Sequence, residues 1–341
     1  MFPPHVSPPT VFAIEQLRHR LRAVWHPERY HGWGRTRNYF EGWYYKLVDP
    51  TEQYALAFIP GISYDARGEG HAFVQVLEGK ALRTHYIDFP TAQFRPAADR
   101  FDVRVGESRF HAAGLDLALP GFSGTLSFDK RHPWTRQLGA PGIMGWYGFV
   151  PFMECYHDVI SLHHRLRGTL RIHGTEVDFT GGIGYLEKDW GRRFPSSWVW
   201  LQTNHFDHAE PISVMASVAR IPWLGQHFIG HIVGFWFGGE LHRFATYTGS
   251  KFDLNLDTDR FTLTFRSGRK RLVLRARVAA GGTLVSPNQE GMHGKINESM
   301  QSEVAVAFYV NDELRFSGTG RNAGLEVSAE AARELAGHPV E

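Results

Sequence analysis

The stretch Gly181–Trp200, GGIGYLEKDWGRRFPSSWVW, decides the reading of the fold. Its first part resembles a segment near the end of the chain. GTEVDFTGGIGYLE (174–187) lines up with NDELRFSGTGRNAGLE (311–326), which sets Glu187 opposite Glu326. Its last part resembles a segment near the start, because EGWYYKL (41–47) lines up loosely with SSWVWLQ (196–202). GGIGYLE therefore closes one unit and SSWVW opens a second. KDWG between them has no counterpart and marks a seam.

Working outward, His71–Phe101 and His231–Phe261 align without a gap, with Gly79/Gly239, Arg83/Arg243 and Asp99/Asp259 among the identities. Short β-rich runs such as Tyr54–Ile59, Ala72–Leu77, Ile229–Phe237 and Val304–Val310 alternate with Gly, Asp and Asn. We expect a mainly β protein, two tandem lipocalin-like antiparallel β-barrels or half-barrels, with a short N-terminal helix. The expected division is an N-terminal segment (1–30), a first β-domain (31–187) and a second (188–341). The first carries an inserted Gly-, Pro- and aromatic-rich loop at 131–157, composed as a cover for a pocket.

The 341 residues suffice for two domains, and 10 Trp and 25 Phe can line a large apolar cavity as well as fill cores. A net charge of +2 gives no nucleic-acid footprint. The lone Cys155 forms no disulfide within the chain, and beside His157 nothing else supports a nucleophilic thiol. MFPPHVSPPT lacks the features of a signal peptide, and no apolar run reaches the length of a membrane span. We expect a soluble, cytoplasmic protein. Val11–Val24 reads as an amphipathic helix, with Ile14, Leu17, Leu21 and Val24 on one face, either packed on the body or giving peripheral contact with a membrane.

Three runs, YHGWGRTRNYFEGWYYK (30–46), PFMECYH (151–157) and GYLEKDWGRRFPSSWVWLQTN (184–204), resemble the tocopherol cyclase family; GMHGKINESM and AGLE near the C-terminus fit more loosely. EKDWG stands where the plant pattern has EKNWG. The resemblance implies a fold shared with carotenoid hydratases and some pericyclic cyclases. It also implies an enzyme of vitamin E biosynthesis type, closing a chromanol ring on a prenylquinol. In that reaction a proton adds to an alkene and the phenol oxygen attacks the tertiary cation. The partner would be an apolar or amphipathic isoprenoid, and no cofactor would be needed. A non-catalytic carrier of an apolar ligand and an isoprenoid hydratase or isomerase are the rival readings.

The chemistry needs a carboxylic acid kept neutral by burial, aromatic faces for the cation and exclusion of water. Glu41, flanked by aromatics and without an acidic counterpart in the repeat, is the first choice of acid. Glu187 is tempered by Glu326, since a carboxylate in both halves suggests scaffold. Asp189 is a second acid or its orienting partner, and Lys188 is placed to meet the developing phenolate. At the end of the inserted loop, a neutral His157 or Tyr156 is a candidate base, beside Glu154. Trp43, Tyr45, Trp190, Trp198 and Trp200 are candidates for the substrate wall. His163-His164 and His227…His231 lack diagnostic ligand spacing, so no metal is expected.

Overall fold

The computed structural model describes residues 15–19, 22–257 and 260–335. Two antiparallel sheets, of 12 and 10 strands, account for most of it. The first runs from the edge strand Arg83–Pro90 through Gly70–Glu78, Ala55–Tyr64 and Tyr39–Val48 to Ile183–Gly191. It continues through Cys155–Ile172 and Phe122–His132 into the short strands ending at Phe94–Pro96. The second repeats this path from Glu240–Ala245 through Gln226–Phe237, Ser213–Trp223 and Trp198–Thr203 to Glu313–Val327. It then returns through Gly291–Val310 to Lys251–Leu256. In each unit the last long strand lies beside the first, the lipocalin-like arrangement expected. Residues 15–19 and 22–23 are helical; Ile14 and Leu21 of the expected apolar stripe fall outside the described residues.

The strand Ile183–Gly191 pairs with Tyr39–Val48 along its length, and the second sheet begins at Trp198. We therefore assign the junction between units to residues 192–197; the expected boundary at 187/188 falls within a strand of the first sheet.

Three cores result. One fills the first unit and includes Trp43, Tyr45 and Phe110; another fills the second and includes Phe235, Phe244 and Phe265. The third lies between the sheets and includes Tyr44, Tyr185, Trp200 and Met300. Strand Tyr39–Val48 is thus buried on both faces, which is why EGWYYKLV shows no polar alternation.

The observed register corrects the sequence pairing of the halves. Glu187 pairs with Tyr44 and Glu326 with Trp200, so Tyr44 corresponds to Trp200, one residue away from the EGWYYKL/SSWVWLQ alignment. Carried across the next strands, the register matches Val76 to Val233, three residues away from the gapless His71/His231 alignment. A shift by an odd number of residues exchanges the two faces of a strand. Trp43 therefore belongs to the core face, whereas Trp198 faces the space between the sheets.

The inserted loop folds back over that space. Trp134 packs on Gly234, where a Cβ would lie 2.3 Å from the indole, and Arg243 lies over the same ring at 5.4 Å.

Candidate active site

A cavity lies between the two sheets, and with its mouth it encloses about 1370 Å³ of space not filled by protein. Tyr44, Trp198, Trp200, Met144, Tyr147 and Phe228 form much of its wall, with Met144 and Tyr147 supplied by the inserted loop. His157, Glu187, Asp189, Glu298 and Glu326 give it a strongly polar patch.

Strand parity builds this patch. On Ile183–Gly191, Tyr185, Glu187 and Asp189 share one face and Leu186, Lys188 and Trp190 the other. Glu187 accepts hydrogen bonds from Tyr185 Oη at 2.5 Å and Trp200 Nε1 at 3.2 Å. Glu326 accepts one from Trp198 Nε1 at 2.8 Å. Glu298, wholly buried, bonds Tyr44 Oη through Oε1 while Oε2 has no partner. Counterparts in the two units touch: Tyr44 meets Trp200 edge-on at 5.6 Å, and Lys46 Nζ donates to Gln202 Oε1 at 2.8 Å.

Burial raises all three carboxyl groups. Glu187 rises to about 8, with His157 opposing and Asp189 and Glu326 adding to the rise. Glu326 rises to about 7, and Glu298 lies well above the carboxylate range, since burial and the neighbouring Glu326 both disfavour its charge. His157 moves the other way. Burial disfavours its charge, but Asp189 and then Glu187 outweigh burial and raise it to about 9. Its Nδ1 bonds Asp189 Oδ1 at 2.7 Å, and Nε2 faces Glu187 Oε2 across 3.4 Å, just short of a hydrogen bond. His157 is thus a cation near neutral pH, not the neutral base expected. These three residues also bring one donor atom each within 4.8 Å of one another. Burial, then Asp189, pushes the Cys155 thiol well above its ordinary range, so it is no ready nucleophile.

Glu41 and Lys188 lie elsewhere. Both side chains are wholly buried on the first unit's core side, and they pair at 2.5 Å. Glu41 also accepts bonds from His31 N, Gly32 N and Tyr39 Oη, and Lys188 donates to Pro27 O, Arg29 O and His31 Nδ1. Burial opposes the Glu41 charge, but Lys188 and His31 outweigh it and hold the carboxyl below its ordinary value. The pair pins the 23–32 segment; it supplies neither a neutral acid nor a phenolate contact. Trp43 stacks on Phe101 at 5.3 Å and Tyr45 donates to His111 O, both in the first core. Trp190 is sandwiched between His31 and Tyr156 at 4.3 and 5.4 Å. Tyr156 donates to Val150 O, and Glu154 pairs with Arg193. Of the expected residues, Glu187, Asp189, His157, Trp198 and Trp200 meet at the cavity. Tyr44, Glu298 and Glu326 join them without having been singled out as site residues, and Tyr185 supports Glu187 from the core between the sheets; the GMHGKINESM resemblance and the Glu187/Glu326 match were the available signals.

These buried groups make stability depend on pH. Between about pH 6.5 and 8 the folded chain keeps protons on Glu187, Glu298 and His157 that the unfolded chain has largely released. Stability is expected to fall as pH rises through that window, by about 2 kcal/mol from Glu187 alone. Lys46, lowered by burial to about 7, opposes this by up to one proton. The urea midpoint should be lower at about pH 8.5 than at about pH 6.5; an equal or higher midpoint contradicts the assignment.

The fold and this cavity define a two-unit lipocalin-like β protein with an acid-bearing aromatic pocket. A profile described as Tocopherol cyclase-like matches residues 129–329, and the chain belongs to that family. It is similar to "Tocopherol cyclase, chloroplastic" of Zea mays, 25% identical over 204 residues, covering 57% of this chain and 42% of that protein. It is also similar to "Probable tocopherol cyclase, chloroplastic" of Oryza sativa subsp. japonica, 28% identical over 109 residues, 31% of this chain and 23% of that one. The matches thus span less than half of either relative's length. A crystal structure of CghA with Sch210972 shares the fold, with a TM-score of 0.55, 12% identity, and coverage of 85% and 88% of the two chains. Among the described residues, no helix is long and apolar enough to cross a membrane.

Proposed function

We propose that the protein closes an oxygen ring on a prenylated quinol or a similar phenol bearing an isoprenoid chain. The observation that carries this reading is Glu187, a carboxyl raised to about 8 that faces an aromatic cavity. Such a group is protonated at neutral pH and able to give its proton to an alkene. The tertiary cation that follows lies among the faces of Tyr44, Trp198 and Trp200. The phenol oxygen attacks it, and Asp189 takes the phenol proton. The proton on Asp189 then returns to Glu187, whose carboxylate lies within 4.8 Å, while His157 keeps both ring protons between them, so each turnover ends with no net proton gained or lost. Burial, helped by Asp189 and Glu326, keeps Glu187 neutral. Family membership supports the reaction class, and the apolar wall supports an isoprenoid tail.

The test is incubation of the purified protein with prenylated benzoquinols of differing head groups, followed by mass and retention time. An isomer of unchanged mass with chromanol retention is the expected product. A product heavier by one water would make the protein a hydratase. Tight binding without turnover across all head groups would make it a carrier.

A further inference from the structure

A second cluster of ionisable side chains lies away from the cavity. Glu78 ends the strand Gly70–Glu78, His85 lies on the adjoining edge strand, and His173 occupies the turn after Cys155–Ile172. His85 Nε2 and His173 Nε2 both point at Glu78 Oε1, at 2.8 and 3.0 Å, and the three donor atoms lie within 4.8 Å of one another. We propose that Glu78, His85 and His173 form a zinc site that ties the edge hairpin of the first sheet to the turn at His173.

The surroundings favour an ion. Glu78 is buried, while the two imidazoles are each about a third exposed, so an ion has an entry path and water has room to complete its shell. Arg83 holds Glu78 Oε2 at 3.1 Å and leaves Oε1 as a single oriented ligand. The Phe122 ring meets His85 and His173 edge-on at 5.4 and 4.9 Å, which fixes both rings from one side. His173 has φ +48°, a left-handed conformation unfavourable for a non-glycine residue. A tetrahedral zinc at about 2.0–2.1 Å from each donor separates the donors by roughly 3.3 Å, a small widening of the observed spacing. Two imidazoles and one carboxylate suit Zn²⁺ and are a poor set for Mg²⁺ or Ca²⁺, which prefer oxygen. The three ligands span 95 residues between Glu78 and His173, and Arg83–Pro90 is unpaired along its outer side in the sheet order. An ion here would fasten an otherwise open sheet edge. No spacing signal marks this site in the sequence, because the ligands come from two neighbouring strands and a distant turn.

The test uses the full chain stripped with a chelator and titrated with Zn²⁺ by calorimetry, with thermal melting alongside. One equivalent should bind, the melting midpoint should rise with Zn²⁺ and not with Mg²⁺, and Co²⁺ should give the visible bands of a tetrahedral ion. Glu78→Gln and the double variant His85→Ala/His173→Ala should each bind at least about 100-fold more weakly, while His227→Ala, at an exposed histidine elsewhere, should match the wild type. Circular dichroism of each ion-free variant checks that the fold is kept. Wild-type binding no tighter than that of the double variant, or equal stabilisation by Mg²⁺, overturns the proposal. If the double variant fails to fold, Glu78→Gln decides by the same comparison.

Discussion

Glu187→Gln is expected to lower turnover of a prenylated quinol by about 10²–10⁴-fold while leaving substrate affinity within a few-fold. Glutamine keeps the volume, and its carbonyl oxygen still accepts from Tyr185 Oη and Trp200 Nε1, so the cavity wall stays in place. What it loses is the transferable proton. Single-turnover product formation, with binding measured separately, distinguishes this outcome from a loss of fit. The stability of the variant above about pH 8 should equal or exceed that of the wild type, because no carboxylate is then ionised at that position. Asp189→Asn should also slow the reaction, since it removes the acceptor for the phenol proton and one of the charges that hold His157 protonated. If Glu187→Gln keeps full turnover and Glu298→Gln abolishes it, the proton donor is Glu298, whose unpartnered Oε2 lies in the same cavity.

Lys188→Met is expected to destabilise the protein by about 3–5 kcal/mol, the range for breaking a buried ion pair on one side. The Glu41 carboxylate would remain wholly buried without its cation, and Pro27 O and Arg29 O would lose a donor. Lys188 also lies 5.0 and 4.4 Å from the ring centres of Trp43 and Trp190, contacts that methionine keeps only as dispersion. The double variant Glu41→Gln/Lys188→Met should recover part of the loss, which a double-mutant cycle from urea unfolding at neutral pH would read directly. A change under about 1 kcal/mol would contradict the role given to the pair. Folded Glu41→Gln protein should retain turnover within a few-fold, because Glu41 faces away from the cavity; a loss comparable to that of Glu187→Gln would return Glu41 to the catalytic site.

The mistaken placement of Glu41 has a simple origin. EGWYYKL looks like an acid set among aromatics, and both faces of its strand are indeed buried. Its Glu, Trp43 and Tyr45 nevertheless point into the first core, while Tyr44 and Lys46 point to the seam. On a strand buried on one face only, polar residues would have marked the difference. Here both faces are apolar, and a one-residue slip in aligning the halves exchanged them. The same slip paired Trp43 with Trp198, residues on opposite sides of their sheets. The alignment at GYLE and AGLE was anchored correctly, and there the equivalence of Glu187 and Glu326 was legible. Its meaning was not. Two carboxylates at corresponding positions looked like scaffold, but packing the units against each other brings both to one cavity, where Glu326 helps keep Glu187 protonated.

The β character, the repeated strand order, the covering loop and the family were all legible in the chain, because these follow from local periodicity, turn residues and long motifs. The sequence also marked Glu187, Asp189, Trp198 and Trp200, within Gly181–Trp200, and His157, at the end of PFMECYH. Which buried carboxyl groups stay neutral and which sit in ion pairs depends on packing in three dimensions. Glu41 and Glu187 are both buried glutamates beside aromatics, and the difference lies in their neighbours across space. Lys188 and His31 hold Glu41 ionised, whereas Asp189 and Glu326 help burial keep Glu187 neutral. Those neighbours come from segments as much as 139 residues apart in the case of Glu187 and Glu326, a distance over which strand register and sheet packing, not local sequence, set the field at each carboxyl.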